Sequence, residues 1–142
     1  MREIKFRGFL EIQKRWVYGN LIVDENGTKY IVDNKLFSAD GHHLAYEPTD
    51  DPAFINQETI GQYTGMKDFS GKEIYESDIV RTSDNDDELA VVEWDEEDLR
   101  FTVTHGNVVN GLGEEYYPRE VEVIGNMYDN PELLGGAHDE QE

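Results

Sequence analysis

The stretch Ile60-Gly-Gln-Tyr-Thr-Gly-Met-Lys-Asp-Phe-Ser-Gly-Lys-Glu-Ile-Tyr-Glu-Ser-Asp-Ile-Val80 decides how the chain is read. Gly61, Gly65 and Gly71 punctuate it, and glycine reaches backbone conformations that other residues resist. Tyr63, Phe69 and Tyr75 stand among them, and Ile74, Ile79 and Val80 complete an apolar set. Aromatic rings supply large areas to bury. The expected structure is a tightly turned junction, packed by its aromatics and feeding a strand at Asp78-Ile79-Val80. Nothing in the stretch has the layout of an active site.

Downstream, the chain reads as a series of short strands. Ser83 to Glu88 is an acidic run, expected as a solvated hairpin loop. Asp84, Asp86 and Glu88 alternate as in a calcium loop, but Leu89 stands where that loop needs glycine. Leu89 to Trp94 alternates, which puts Ala90, Val92 and Trp94 on one face and marks Trp94 as core. Asp95-Glu96-Glu97-Asp98 makes a charged turn, and Phe101 to Thr104 returns. Gly111 and Gly113 punctuate a longer loop. Glu120 to Ile124 alternates again with Val121 and Val123 inward. Glu132 to Leu134 closes with one helical turn, Pro131 near its start. Five short strands at this spacing fit an SH3-like β-barrel, whose closure removes exposed edges.

Upstream, residues 3–10 alternate, with Ile4 and Phe6 on one side and Glu3, Lys5 and Arg7 on the other. Gly8 is expected to weaken or kink this strand. Trp16 to Val23 is a second strand, Asn26-Gly27 a tight-turn signal, and Lys29 to Val32 the returning strand. Residues 3–32 thus read as a small antiparallel meander. In 33–57, Asp40-Gly41 marks a turn, Pro48 and Pro52 disfavour regular structure around Asp50-Asp51, and Leu36, Phe37 and Leu44 are expected to pack on the meander. The fold expected is mainly β: an N-terminal β subdomain over 1–57, an SH3-like barrel subdomain over 58–134 and a polar tail over 135–142.

Composition narrows the function classes. The 142 residues carry a formal net charge of −20, which favours solubility and opposes close approach to phosphate backbones. Residues 1–15 are net +3, whereas residues 82–142 are net −16. The acidic half reads first as a solvated surface; the sharper reading is a patch for a basic partner or for self-association through opposed charges. No stretch has the roughly 18 apolar residues that a membrane-spanning helix needs, and the N-terminus has no apolar signal core. A cytoplasmic location is therefore expected. With no cysteine, disulfides, thiolate metal sites and a cysteine nucleophile are excluded.

Seven segments then carry a resemblance: Met1-Arg-Glu-Ile-Lys-Phe-Arg7, Trp16-Val-Tyr-Gly19, Ile60-Gly-Gln-Tyr-Thr-Gly65, Lys72-Glu-Ile-Tyr-Glu76, Asp78-Ile-Val80, Val92-Glu-Trp94 and Ile124-Gly-Asn-Met-Tyr-Asp-Asn-Pro-Glu-Leu-Leu134. In order and spacing they resemble the YopX family of bacteriophage and prophage proteins, over residues 1–134. The resemblance implies a phage or prophage origin and a β-rich fold, and it transfers no catalytic residue. The chain departs from the family pattern at Gly8-Phe9-Leu10, where many members have Ala-Trp-Asp. It departs again at Ser77, where glycine is usual in the Glu-Gly-Asp turn, so either a less tight turn or strain at Ser77 is expected.

The search for chemistry agrees with that. Ser38, Ser70, Ser77 and Ser83 lie outside any Gly-x-Ser-x-Gly elbow. Asp40 with His42 and His43 lacks the further clustered ligands of a metal shell, and adjacent histidines on an extended chain point to opposite faces. No catalytic residue, metal site or cofactor is expected. The expected activity is protein binding by a non-enzymatic accessory or regulatory protein. Tyr116, Tyr117, Asp95, Glu96, Glu97 and Asp98 are the candidate contact residues. The partner is expected to be a basic or DNA-binding host protein, with homo-oligomerisation a further option and no direct nucleic-acid or membrane contact. The alternative is an acidic nucleic-acid mimic that occupies a host DNA-binding protein.

Overall fold

The computed structural model describes residues 3–32, 36–38, 44–46, 55–83, 85–105, 108–113 and 120–134, with backbone alone at 36–38, 44–46 and 85–88. The fold is mainly β, and its strand pairs are antiparallel. No helix among the described residues is long and apolar enough to cross a membrane. The chain divides into two compact units, Met1–Gln62 and Tyr63–Glu142.

The first unit is the expected meander, with one strand added to its sheet and a separate two-stranded ribbon. It holds β1 (Phe6–Leu10), β2 (Arg15–Val23), β3 (Lys29–Val32), the ribbon of β4 (Leu36–Ser38) and β5 (Leu44–Tyr46), and the first part of β6 (Ile55–Lys67). β2 pairs with both β1 and β3, and β1 pairs with β6. Alternation along β1 and β2 turns Leu10 and Val17 inward, where they join Ile31 and Ile55 in a buried cluster flanked by Phe6, Leu21 and Ile60. The kink expected near Gly8 is a register shift: Arg7 faces Gly61 but Phe9 faces Asn56. A Cβ at Gly8 would meet Ile55 Cγ2 at 3.0 Å, so a larger residue there needs the Ile55 side chain to give way. The extra residues that β6 carries across this shift are put to use. Thr59 Oγ1 accepts from Phe9 N at 2.9 Å. The Gln57 amide accepts from Lys29 N at 2.9 Å and donates to Lys29 O at 2.8 Å, as a neighbouring strand would on the outer side of β3.

The second unit takes the last part of β6 with β7 (Glu73–Tyr75), β8 (Asp78–Thr82), β9 (Asn85–Asp95), β10 (Arg100–His105), β11 (Val108–Gly111) and β12 (Val121–Asn126). The junction expected at 60–67 is strand throughout, and the sharp turn begins only at Asp68. Gly65, at φ 90°, lies within the register shift between β6 and β7. The acidic run expected to loop as far as Glu88 is already strand from Asn85, and β11 occupies part of the loop expected around Gly111. Five strands run in the order β11-β10-β9-β8-β12. Ile74, Val80, Ala90, Val92, Val103, Val121 and Val123 form the core on one face.

This sheet is open, so the expected barrel closure is not present. Among the described strands, β11 pairs only with β10 and β12 only with β8. The outer edge of β12 is occupied instead by the turn after β6. Val121 O accepts from Phe69 N at 3.2 Å, and Val123 N donates to Asp68 Oδ2 at 2.9 Å. Backbone groups that a closing strand would use are thus taken by a turn.

Two aromatic expectations also need correction. Tyr63, Tyr75 and Phe101 are buried as expected, but Trp94 is 37% exposed and Phe69 61% exposed. Trp94 does share the inward face, because it pairs with Phe101 just as Val92 pairs with Val103. It lies one residue from the end of β9, where the core runs out. Phe69 lies in the Asp68 turn, off the sheet face altogether. Of the two outcomes expected at Ser77, the residue carries strain, at φ 75° between β7 and β8.

Candidate functional site

Two surfaces of the second unit expose apolar side chains among carboxylates. The first is the β9–β10 hairpin. Its closing pair is Asp95 and Arg100, and the loop between them is Glu96-Glu97-Asp98-Leu99. Leu99 turns the chain at φ 55° and donates its N–H to Asp95 O at 2.8 Å. The Asp95 side chain then accepts from Glu97 N at 3.0 Å, which fixes the tip. Glu96, Glu97 and Asp98 are exposed and Asp95 half-buried. Trp94 packs edge-on against Phe101, ring centroids 5.0 Å apart, and keeps an outward edge, while Leu99 is 69% exposed. The structure therefore brings four of the expected contact residues together and adds Trp94 and Leu99 beside them. Tyr116 and Tyr117 lie outside the described residues, as do Asp40, His42 and His43.

The second surface was not legible from charge or motif. It is a groove of about 200 Å³ between the Asp68 turn and the β8–β12 pair, lined by Phe69, Arg81, Ser83, Glu120 and Glu122 among others. Arg81 Nη1 bonds Glu122 Oε1 at 3.1 Å across the two strands. Phe69 is held there by its turn. Asp68 Oδ1 accepts from Ser70 N, Ser70 Oγ and Lys72 N at 2.8–2.9 Å. Gly71, at φ 92°, closes the turn by donating to Asp68 O at 3.0 Å.

The Asp68 carboxylate does not have the character of a catalytic group. Burial raises the Asp68 carboxyl, but bonds from Val123, Lys72 and Ser70 outweigh that and hold it below its usual range. Asp24 is lowered in the same way, its slight desolvation outweighed by bonds from Thr28, Asn26, Tyr30 and Gly27. A general acid or base working near neutral pH needs the opposite shift. Both shifts trace to hydrogen bonds that hold the fold, so they report structure. Among the described residues no three His, Asp or Glu side chains are grouped to hold a metal ion. The Ser70 hydroxyl serves the Asp68 turn. What the two surfaces offer is exposed apolar area beside carboxylates.

Comparison with known proteins places the chain. The family model described as YopX protein matches residues 5–135. Among solved structures, protein EF1440 from Enterococcus faecalis matches at a TM-score of 0.66 and 23% identity, covering 94% of this chain and 99% of that one. Protein yopX from Bacillus subtilis matches at a TM-score of 0.54 and 25% identity, covering 94% of this chain and 97% of that one. No curated protein matches the chain.

Proposed function

The chain belongs to the YopX family, and on that premise we propose that it is a non-enzymatic phage or prophage accessory or regulatory protein that acts by binding another protein in the bacterial cytoplasm. The observation that carries this reading is the β9–β10 hairpin. Exposed Trp94 and Leu99 stand among Asp95, Glu96, Glu97 and Asp98 on a loop pinned by its own hydrogen bonds. A large aromatic at the centre and charge at the rim is the usual anatomy of a protein contact. The chain's net charge of −20 selects a basic partner and speeds its approach within about 8–10 Å, the screening length at physiological salt. The same charge favours one second reading, in which the acidic surface stands in for nucleic acid on a host DNA-binding protein.

The test is capture from host lysate on the immobilised chain, with a Trp94→Ser, Leu99→Ser variant alongside. The reading predicts a partner retained by the wild type and lost by the variant, associating more slowly as salt rises. Equal capture by both, or an association rate indifferent to salt, would remove the hairpin from the account. If duplex DNA competes for the captured protein, the mimic reading is the correct form. Labelled DNA itself should show no binding to the chain at physiological salt.

A further inference from the structure

We propose that the groove beside Phe69 receives an arginine or lysine side chain of the partner, its cationic head lying against the Phe69 ring and facing Glu120 and Glu122. This rests on the protein-binding reading above and names a second surface for it.

The argument begins with an aromatic that the fold does not need. Asp68-Phe69-Ser70-Gly71-Lys72 has a counterpart in Asp24-Glu25-Asn26-Gly27-Thr28. In each, the aspartate side chain accepts from the N–H groups two and four residues on. In each, a glycine of positive φ donates to the aspartate carbonyl, and the aspartate N–H donates to the carbonyl four residues on. The second position of the turn is Glu25 in one and Phe69 in the other. The geometry is served equally well by an exposed glutamate, so neither the turn nor the core accounts for a phenylalanine that is 61% exposed.

The surroundings specify the ligand. Among the described residues the groove's charged lining is Arg81, Glu120 and Glu122, a net of −1, with Arg81 and Glu122 paired at 3.1 Å. An aromatic face with carboxylates nearby attracts a cation by two additive routes, the ring quadrupole and the charge. Arginine fits best, since its planar head stacks on a ring while its edge bonds a carboxylate.

The test uses fluorescence anisotropy of a labelled peptide of alternating glycine and arginine, in physiological salt, with the glycine–glutamate peptide as control. The full chain should bind the arginine peptide and not the control. Phe69→Glu should fold, because the counterpart turn carries glutamate at this position. It should bind the peptide about five-fold more weakly or worse, although the chain then has one more negative charge. Phe69→Leu, which keeps the apolar bulk without the ring, should weaken binding in the same direction. Non-specific charge attraction predicts the reverse for Phe69→Glu, so equal or tighter binding by that variant overturns the proposal. Loss with Trp94→Ser but not with Phe69→Glu overturns it too, and leaves the hairpin as the contact surface. Absence of binding by the wild type up to millimolar peptide overturns the groove alone, since lysate capture tests the broader reading separately.

Discussion

The two Asp-x-x-Gly-x turns share their hydrogen bonds and differ in what depends on them. The Asp24 turn closes the β2–β3 hairpin, and its aspartate takes one further bond, from the Tyr30 hydroxyl at 3.0 Å, six residues away. The Asp68 turn joins β6 to β7, and its aspartate takes further bonds from the Ser70 hydroxyl and from Val123 N, the latter 55 residues away. Asp24 is half-buried, while Asp68 is 4% exposed. One chemical device is thus a local closure in the first unit. In the second it ties a hairpin to the edge of the sheet and holds an aromatic beside a groove. Identical turn chemistry does not imply identical energetic weight, because an N–H that loses its acceptor is resolvated at the surface and stranded in the interior.

The sharpest way to break this comparison is to remove each carboxylate. Asp68→Ala strands donors near the edge of β12 and should cost about 3–4 kcal/mol by urea unfolding. Asp24→Ala should shift the midpoint far less, because water replaces the carboxylate at an exposed loop. Equal shifts would mean that the Val123 bond contributes nothing. Acid unfolding sharpens the same point. A carboxyl held below its usual value contributes stability that is present above the unfolded value of about 3.9 and fades as pH falls through the folded one. Asp68→Asn should therefore flatten the stability profile below about pH 4. A profile unchanged by that substitution would separate the Asp68 shift from folding.

Smaller effects test what the turns have in common. Gly27 and Gly71 both have positive φ, and a Cβ at either would meet nothing within 4 Å. Alanine at each should cost about 1–2 kcal/mol from backbone strain alone, nearly equally in the two units. A marked inequality would show that the turns are not equivalent locally. At Ser77 the same strain already exists, so Ser77→Gly should raise stability by up to about 1 kcal/mol in thermal unfolding.

Period-two patterning made much of this fold legible. It located β1, the body of β9 and β12; β2 showed in its aromatic and β-branched residues, β3 and β10 as returns after turn signals, and β8 as an apolar run. β6 escaped because its buried positions are irregular: Ile55, Thr59, Gly61, Tyr63 and Thr64. The register shift against β1 breaks the alternation, and Gly61 and Gly65 read as turn residues. Trp94 was placed on the correct face, but where a sheet's core ends is a tertiary fact. The hairpin carboxylates were visible as a charge run. The Phe69 groove was not, although the sequence held a usable signal: the spacing Asp-x-x-Gly occurs at 24–27 and again at 68–71, with Glu25 and Phe69 in matching places.

The central claim is that Phe69 belongs to the surface and not to the fold. The direct measurement is the urea unfolding midpoint of Phe69→Glu against the wild type. The account predicts stabilities within about 0.5 kcal/mol of each other, as for other exposed sites. A loss of about 3–5 kcal/mol, the cost of truncating a core phenylalanine, would contradict it.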